Sequence, residues 1–131
     1  MIDDPFWRGL VSVVDLPAHH DDRGVLTTVA LAELGLDVAR AFVVAAPDGA
    51  VRGGHGHRRT RQLILRVSGT VRVEVRRAGR AAEVTLDEST PAVLIEPGVW
   101  SRQTYQGDRP SVVVFCDTAY DPDDYVTEPQ P

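Results

Sequence analysis

Eight short runs of β-branched and other apolar residues recur along the chain: Leu10–Val14, Val25–Ala30, Ala41–Ala45, Gln62–Val67, Thr70–Arg76, Ala82–Leu86, Ala92–Ile95 and Val112–Asp117. Each is the length of a strand. Turn signals separate them, among them Pro47–Asp48–Gly49, Ser68–Gly69, Ala78–Gly79, Pro97–Gly98 and Gly107–Asp108–Arg109–Pro110. Short strands at such spacing predict an antiparallel sandwich or barrel. The run Thr70–Arg76 alternates strictly, so Val71, Val73 and Val75 are expected in a core and the charged residues between them in solvent. Only Leu31–Val38 reads as helical, and the pattern excludes a doubly wound nucleotide-binding fold. The acidic, Pro-rich tail over 121–131 is expected to form a short helical turn and then fray.

Composition narrows this picture to one domain. A chain of 131 residues, 43% apolar and 25% charged, suits a single core, expected over about 10–118. The net charge of −5 argues against nucleic-acid binding, which needs a basic face. All 14 basic side chains are Arg, the better fork for phosphate or carboxylate. The single cysteine, Cys116, lies in an apolar run and reads as a buried thiol in a reducing compartment. No apolar run of 18 residues and no secretory pattern at the start is found, so a cytoplasmic protein without membrane contact is expected.

Candidate chemistry centres on one segment. Gly49, then His55–Gly56–His57, Gln62 and Gly69 reproduce the first signature of the cupin barrels, with Gln62 where that signature has a glutamate. Residues two apart on a strand point the same way, so His55 and His57 are expected to form one site. The second signature places a histidine after a Pro-Gly turn; here Pro97–Gly98–Val99–Trp100 is followed by Ser101. A divalent metal wants three or four N, O or S donors, and an amide and a hydroxyl are poor replacements. The pair therefore reads as a metal-free acid and base without a cofactor, titrating near neutrality. A metal-dependent, dioxygenase-like cupin with a third ligand elsewhere, and a non-catalytic ligand-binding barrel, stay open as alternatives.

The segments Arg52–Gly53–Gly54–His55–Gly56–His57–Arg58, Gln62–Leu63–Ile64 and Val67–Ser68–Gly69 resemble the WxcM-like nucleotide-sugar 3,4-ketoisomerases. The resemblance extends to Asp22–Arg23–Gly24, Pro97–Gly98–Val99–Trp100, Tyr120–Asp121 and Asp124–Tyr125, nearly the whole chain. It implies an all-β, RmlC-like cupin jelly roll that isomerises a dTDP-4-keto-6-deoxyhexose to its 3-keto isomer through an enediol, without metal. It further implies His55 as principal base, His57 as the second active-site histidine, Arg52 as donor to the ketone or the sugar diphosphate, and Gln62 as a family glutamine. Three positions depart from the family pattern, so a family member with a changed substrate or reaction stays open as a further alternative. Gly54 replaces the first of three histidines, Phe42–Val43–Val44–Ala45 lacks the usual tyrosines, and Ser101 replaces a histidine.

Around the histidines, Arg58, Arg59 and Arg61 form a basic patch, with Arg59 a candidate for the diphosphate. Trp100 and Ser101 at the rim, and Tyr105 with Gln103 on the following strand, are candidates for the sugar. His19 and His20 read as exposed turn residues. Arg66 and Arg72 fall in strand runs, where an inward orientation would signal an anionic ligand. Trp7 and Phe6 are expected to cover a barrel end or a partner subunit, and a homodimer that protects an open sheet edge is expected.

Overall fold

A computed structural model describes residues 2–131. Its ten strands are β1 (Val11–Val14), β2 (Ala18–Asp21), β3 (Gly24–Thr27), β4 (Arg40–Ala45), β5 (Val51–His57), β6 (Gln62–Arg77), β7 (Arg80–Leu86), β8 (Ala92–Ile95), β9 (Trp100–Cys116) and β10 (Tyr125–Val126). All pairings are antiparallel. Eight strands make one curled sheet, and β2–β3 stands apart as a hairpin. This is the antiparallel barrel that the strand spacing predicted, in the jelly-roll form that the resemblance implied.

Two long strands organise the sheet. The first half of β6 pairs with β8 and the last part of β9, while its second half pairs with β7 and the first part of β9. Strand β4 adds to the end of β9 and β5 to its beginning, so the two halves fold over a shared interior. The Ser68–Gly69 and Gly107–Pro110 segments, expected as turns, are instead register shifts within continuous strands. Gly69 makes the bend possible: its φ is +70°, and a Cβ there would lie 2.7 Å from Gln106 O and from Pro110 Cα. A bulge bends and twists a strand without ending it, which a turn-signal reading does not distinguish.

The interior is filled as the alternation required. Val71, Val73 and Val75 are fully buried with Val84, Leu86, Val93, Val112 and Tyr105. Burying each valine contributes roughly 1.5–3 kcal/mol. Trp7 joins this core from a 3-10 turn at Pro5–Trp7. Cys116 is buried, as expected.

The helical reading of Leu31–Val38 contracts to a 3-10 turn, Leu31–Leu34, which has no side-chain N-cap and ends at left-handed Gly35. The C-terminal tail forms the expected short turn, Pro122–Asp124, but does not fray. Tyr125 and Val126 pair with β5, the Trp100 indole N–H donates to Thr127 O, and Ala78 N–H donates to Gln130 O. No helix among the described residues is long and apolar enough to cross a membrane.

Candidate active site

Strand alternation aims one set of side chains into the space between the two halves. From β4 come Arg40, Phe42 and Val44; from β5, Arg52 and His55; from β6, Gln62 and Ile64; from β9, Ser101, Gln103 and Tyr105. Tyr120 and Tyr125 of the tail complete a cavity of about 330 Å³. That lies at the lower end of the ~300–1,000 Å³ range of small-molecule sites. Its lining holds two arginines and no carboxylate.

The histidine strand is shaped by its glycines. Gly53 and Gly54 both have positive φ, and the β5–β9 register shifts between Gly53 and His55. Gly53 has φ +85°, so this crossing needs glycine for its conformation; a Cβ there would also displace the Gln103 amide. The shift sets His55 opposite Ser101.

The two histidines, expected to act together in the cavity, occupy different environments. His55 lines the cavity, and its buried Nδ1 has no partner among the described residues. Burial, assisted by neighbouring His57, pushes its pKa below the ordinary imidazole value. It is therefore neutral near pH 7 and has a free nitrogen. His57 lies behind the wall, buried, with both nitrogens engaged: Nδ1 is 2.9 Å from Asp124 Oδ2 and Nε2 is 3.0 Å from Gln62 Nε2. The amide N–H donates to Nε2, so the ring proton sits on Nδ1 and donates to the carboxylate. Burial lowers the His57 pKa despite the opposing hydrogen bond and charge of Asp124.

Asp124 is 2% exposed. Its carboxylate also accepts from the Thr60 hydroxyl and, at 2.7 Å, from the Arg59 N–H. Thr60 in turn contacts Thr118 at 2.6 Å. Burial opposes the charge of Asp124, but the hydrogen bonds from Thr60, His57 and Arg59 outweigh it and hold the pKa below the ordinary carboxylate value. This knot fastens the tail to β5 and seats the Tyr125 ring against both histidines, with centroids 4.9 Å from His55 and 4.5 Å from His57.

Of the other expected residues, Arg52, Gln62, Ser101 and Tyr105 line the cavity. Gln103 donates to Ser101 Oγ at 3.1 Å, and burial pushes the Tyr105 hydroxyl above its ordinary pKa against the pull of Arg52. Arg59 and Trp100 are placed elsewhere. Arg59 is drawn out to Asp121, at 2.5 Å, and Trp100 is a packing residue stacked by Arg76 and Arg102. In the rest of the basic patch Arg61 pairs with Glu96, at 2.9 Å, and Arg58 is exposed. Arg72 reaches Glu83, and the Arg66 Nε–H donates to Gly69 O; neither lines the cavity. His19 and His20 lie exposed on β2.

Sequence reasoning missed Arg40, Tyr120, Tyr125 and the anchor Asp124. The tail tyrosines and Asp124 carried a signal, since they stood in matched dipeptides, but nothing along the chain showed that the tail returns to β5. Among the described residues no three His, Cys, Asp or Glu side chains converge as a metal-ligand set.

The curled antiparallel sheet has the RmlC-like cupin fold. The family described as WxcM-like, C-terminal, matches residues 10–131, and the chain belongs to it. No curated protein matches the chain by sequence. Among solved structures it is similar to QdtA, a sugar 3,4-ketoisomerase from Thermoanaerobacterium thermosaccharolyticum in complex with TDP. That likeness has a TM-score of 0.82 and 21% identity over 90% of this chain and 88% of that one. A 3,4-ketoisomerase from Helicobacter canadensis has a TM-score of 0.81 and 17% identity, covering 90% of both chains. The RmlC epimerase of Mycobacterium tuberculosis has a TM-score of 0.78 and 22% identity over 95% of this chain and 70% of that one.

Proposed function

We propose that this protein is a nucleotide-sugar 3,4-ketoisomerase, acting on a dTDP-4-keto-6-deoxyhexose by metal-free proton transfer. The observation that carries this reading is a neutral His55, with an unpartnered nitrogen, in a cavity that has two arginines and no acid. Such a lining suits an anionic ligand and a base that removes a weakly acidic C–H. A cavity of this size suits one sugar ring, and exposed Arg52, which also lines it, is assigned to the diphosphate. Similar structures described as 3,4-ketoisomerases with bound TDP support the same substrate class.

In this mechanism His55 takes the C3 proton, and the C–H electrons form the C3–C4 double bond while the C4 carbonyl becomes an enediolate oxygen. The O3 proton moves to O4. The imidazolium then returns its proton to C4 as O3 becomes the ketone. His57, with both nitrogens engaged, is assigned as the positioning residue for Tyr125 and β5 rather than as a second proton carrier.

The test is C3 hydrogen exchange of dTDP-4-keto-6-deoxyglucose in deuterium oxide, followed by NMR. The parent should exchange, and His55→Ala should lose at least ~10²-fold. A variant exchanging at the parent rate would remove His55 from the role. Stabilisation of the parent by TDP with no exchange at all would make the protein a binding barrel instead.

The homodimer belongs to the same proposal. Strand β4 borders the sheet with only Arg40 charged, and Val43, on its outer side, is 68% exposed. The β2–β3 hairpin carries exposed Val25 and Leu26. Open, uncharged edges of this kind are ordinarily covered, and a second copy of this chain is the proposed cover. The buried single thiol suits a reducing, cytosolic setting.

A further inference from the structure

Arg40 has no role in the reading of the sequence, yet it is the most constrained charge in the cavity. It begins β4 and lines the cavity with Phe42 and Val44, whereas the alternate residues Ala41, Val43 and Ala45 do not. Arg59, Arg61, Arg76 and Arg102 each hold a carboxylate; Arg40 makes no ion pair among the described residues, and its buried Nε has no hydrogen-bond partner. A desolvated guanidinium donor without an acceptor is costly unless a ligand provides one.

Its neighbours are the Cys116 thiol, the Tyr125 hydroxyl and two aromatic rings, none of them a carboxylate. The guanidinium carbon lies 5.9 Å from the centroid of Phe42 and 5.6 Å from that of Tyr120. Arg40 and His55 therefore enter one cavity from β4 and β5, which pair with opposite ends of β9. Arg52, by contrast, is exposed.

From this geometry, and resting on the ketoisomerase reading, we infer that Arg40 is the catalytic donor to the enediolate, its planar fork meeting O3 and O4 of the sugar. Within a six-membered ring the two oxygens across a C3–C4 double bond are necessarily cis and coplanar. They present a planar, two-oxygen anion, the acceptor geometry that a guanidinium pairs bidentately in carboxylates. The ground-state 4-ketone, with its tetrahedral C3, offers that geometry only in part, so the contact strengthens as charge develops. Arg40 remains protonated throughout; it lends hydrogen bonds, and the mobile protons stay on His55 and the two sugar oxygens. Charge from the diphosphate is left to Arg52, which separates binding of the nucleotide from stabilisation of the intermediate.

The experiment compares Arg40→Met, Arg40→Lys and Arg52→Met with the parent by two readouts: C3 deuterium exchange of dTDP-4-keto-6-deoxyglucose, and the calorimetric Kd for TDP alone. Arg40→Met is expected to slow exchange by roughly 10²–10³-fold while TDP affinity stays within about threefold. Arg40→Lys, which keeps charge but not the fork, should fall between Arg40→Met and the parent, at least about tenfold below the parent. Arg52→Met should instead weaken TDP binding by about tenfold or more, the effect of losing a charge-assisted contact. TDP binding also reports that each variant is folded; if Arg40→Met does not fold, Arg40→Lys decides alone. Exchange within threefold of the parent in the deciding Arg40 variant, or TDP affinity falling in step with exchange, overturns the inference. A parent that binds TDP but exchanges nothing overturns the ketoisomerase reading itself, a result distinct from either Arg40 outcome.

Discussion

Removing the Asp124 carboxylate should unfasten the tail from the barrel. In Asp124→Ala the His57 Nδ1–H and the Arg59 N–H lose their acceptor, while the Thr60 hydroxyl keeps Thr118. His57 and Thr60 are 5% and 1% exposed, so water does not readily replace the carboxylate. Each buried donor left unsatisfied costs about 1–3 kcal/mol, and two donors lose their acceptor here. The expected loss is therefore about 3–5 kcal/mol, or roughly 10–20 °C in Tm for a domain of this size. Urea unfolding followed by tryptophan fluorescence measures it directly, because the Trp100 indole bonds to the tail at Thr127. Asp123→Ala, at the exposed neighbouring position, is the control and should stay within about 0.5 kcal/mol. His57→Ala should cost less in the Asp124→Ala background than alone, with a coupling of about 1–3 kcal/mol. A loss below about 1 kcal/mol for Asp124→Ala, or costs that simply add, would refute the proposed anchoring.

Acid should weaken the fold in two stages. Unfolded, His55 and His57 take up protons near 6.5; folded, burial keeps both neutral to lower pH, so the unfolded chain binds more protons in that window. Stability then rises with pH there and is lost on acidification below 6.5, by up to about 1.4 kcal/mol per pH unit for each group. Asp124, whose pKa is lowered from 3.8, adds a further loss below that value. Urea titrations from pH 8 to 4 should show the first stage, and a flat profile above pH 5 would contradict the burial argument. Gly69→Ala should destabilise by about 2–4 kcal/mol through a positive φ and backbone overlap; a thermal scan unchanged within 2 °C would contradict the bend. Val43→Lys should shift light scattering from dimer to monomer while TDP binding persists, since Val43 lies outside the cavity; a dimer with unchanged mass would place the interface elsewhere.

How much of the fold was readable depends on which physical signal each part carries. The valines of β6 declare themselves because alternation is a local consequence of the pleat, and all three are buried. The bends at Gly69 and Gly107–Pro110 read as turns because the same residues serve both, and only the partner strand decides whether hydrogen bonding continues through them. Arg59 and Trp100 were drawn to the site by proximity in sequence, but Asp121 captures the first and the Arg76–Arg102 stack the second.

The histidine pair shows where a local pattern stops being sufficient. Period-two alternation treats His55 and His57 as equivalent, yet only His55 lines the cavity. What separates them is their partners: Asp124, 67 residues away, captures Nδ1 of His57, and nearby Gln62 captures Nε2. The glutamine that replaces a metal-ligating glutamate in the cupin signature therefore does more than remove a ligand. Its N–H pins the tautomer of His57, and that tautomer turns the ring proton toward the carboxylate that carries Tyr125 to His55. A glutamate at position 62 would offer no such donor when ionised, and would favour a charged His57 beside a base that must stay neutral. On this account Gln62, His57 and Asp124 are selected together, and His55 alone is left free to accept a proton.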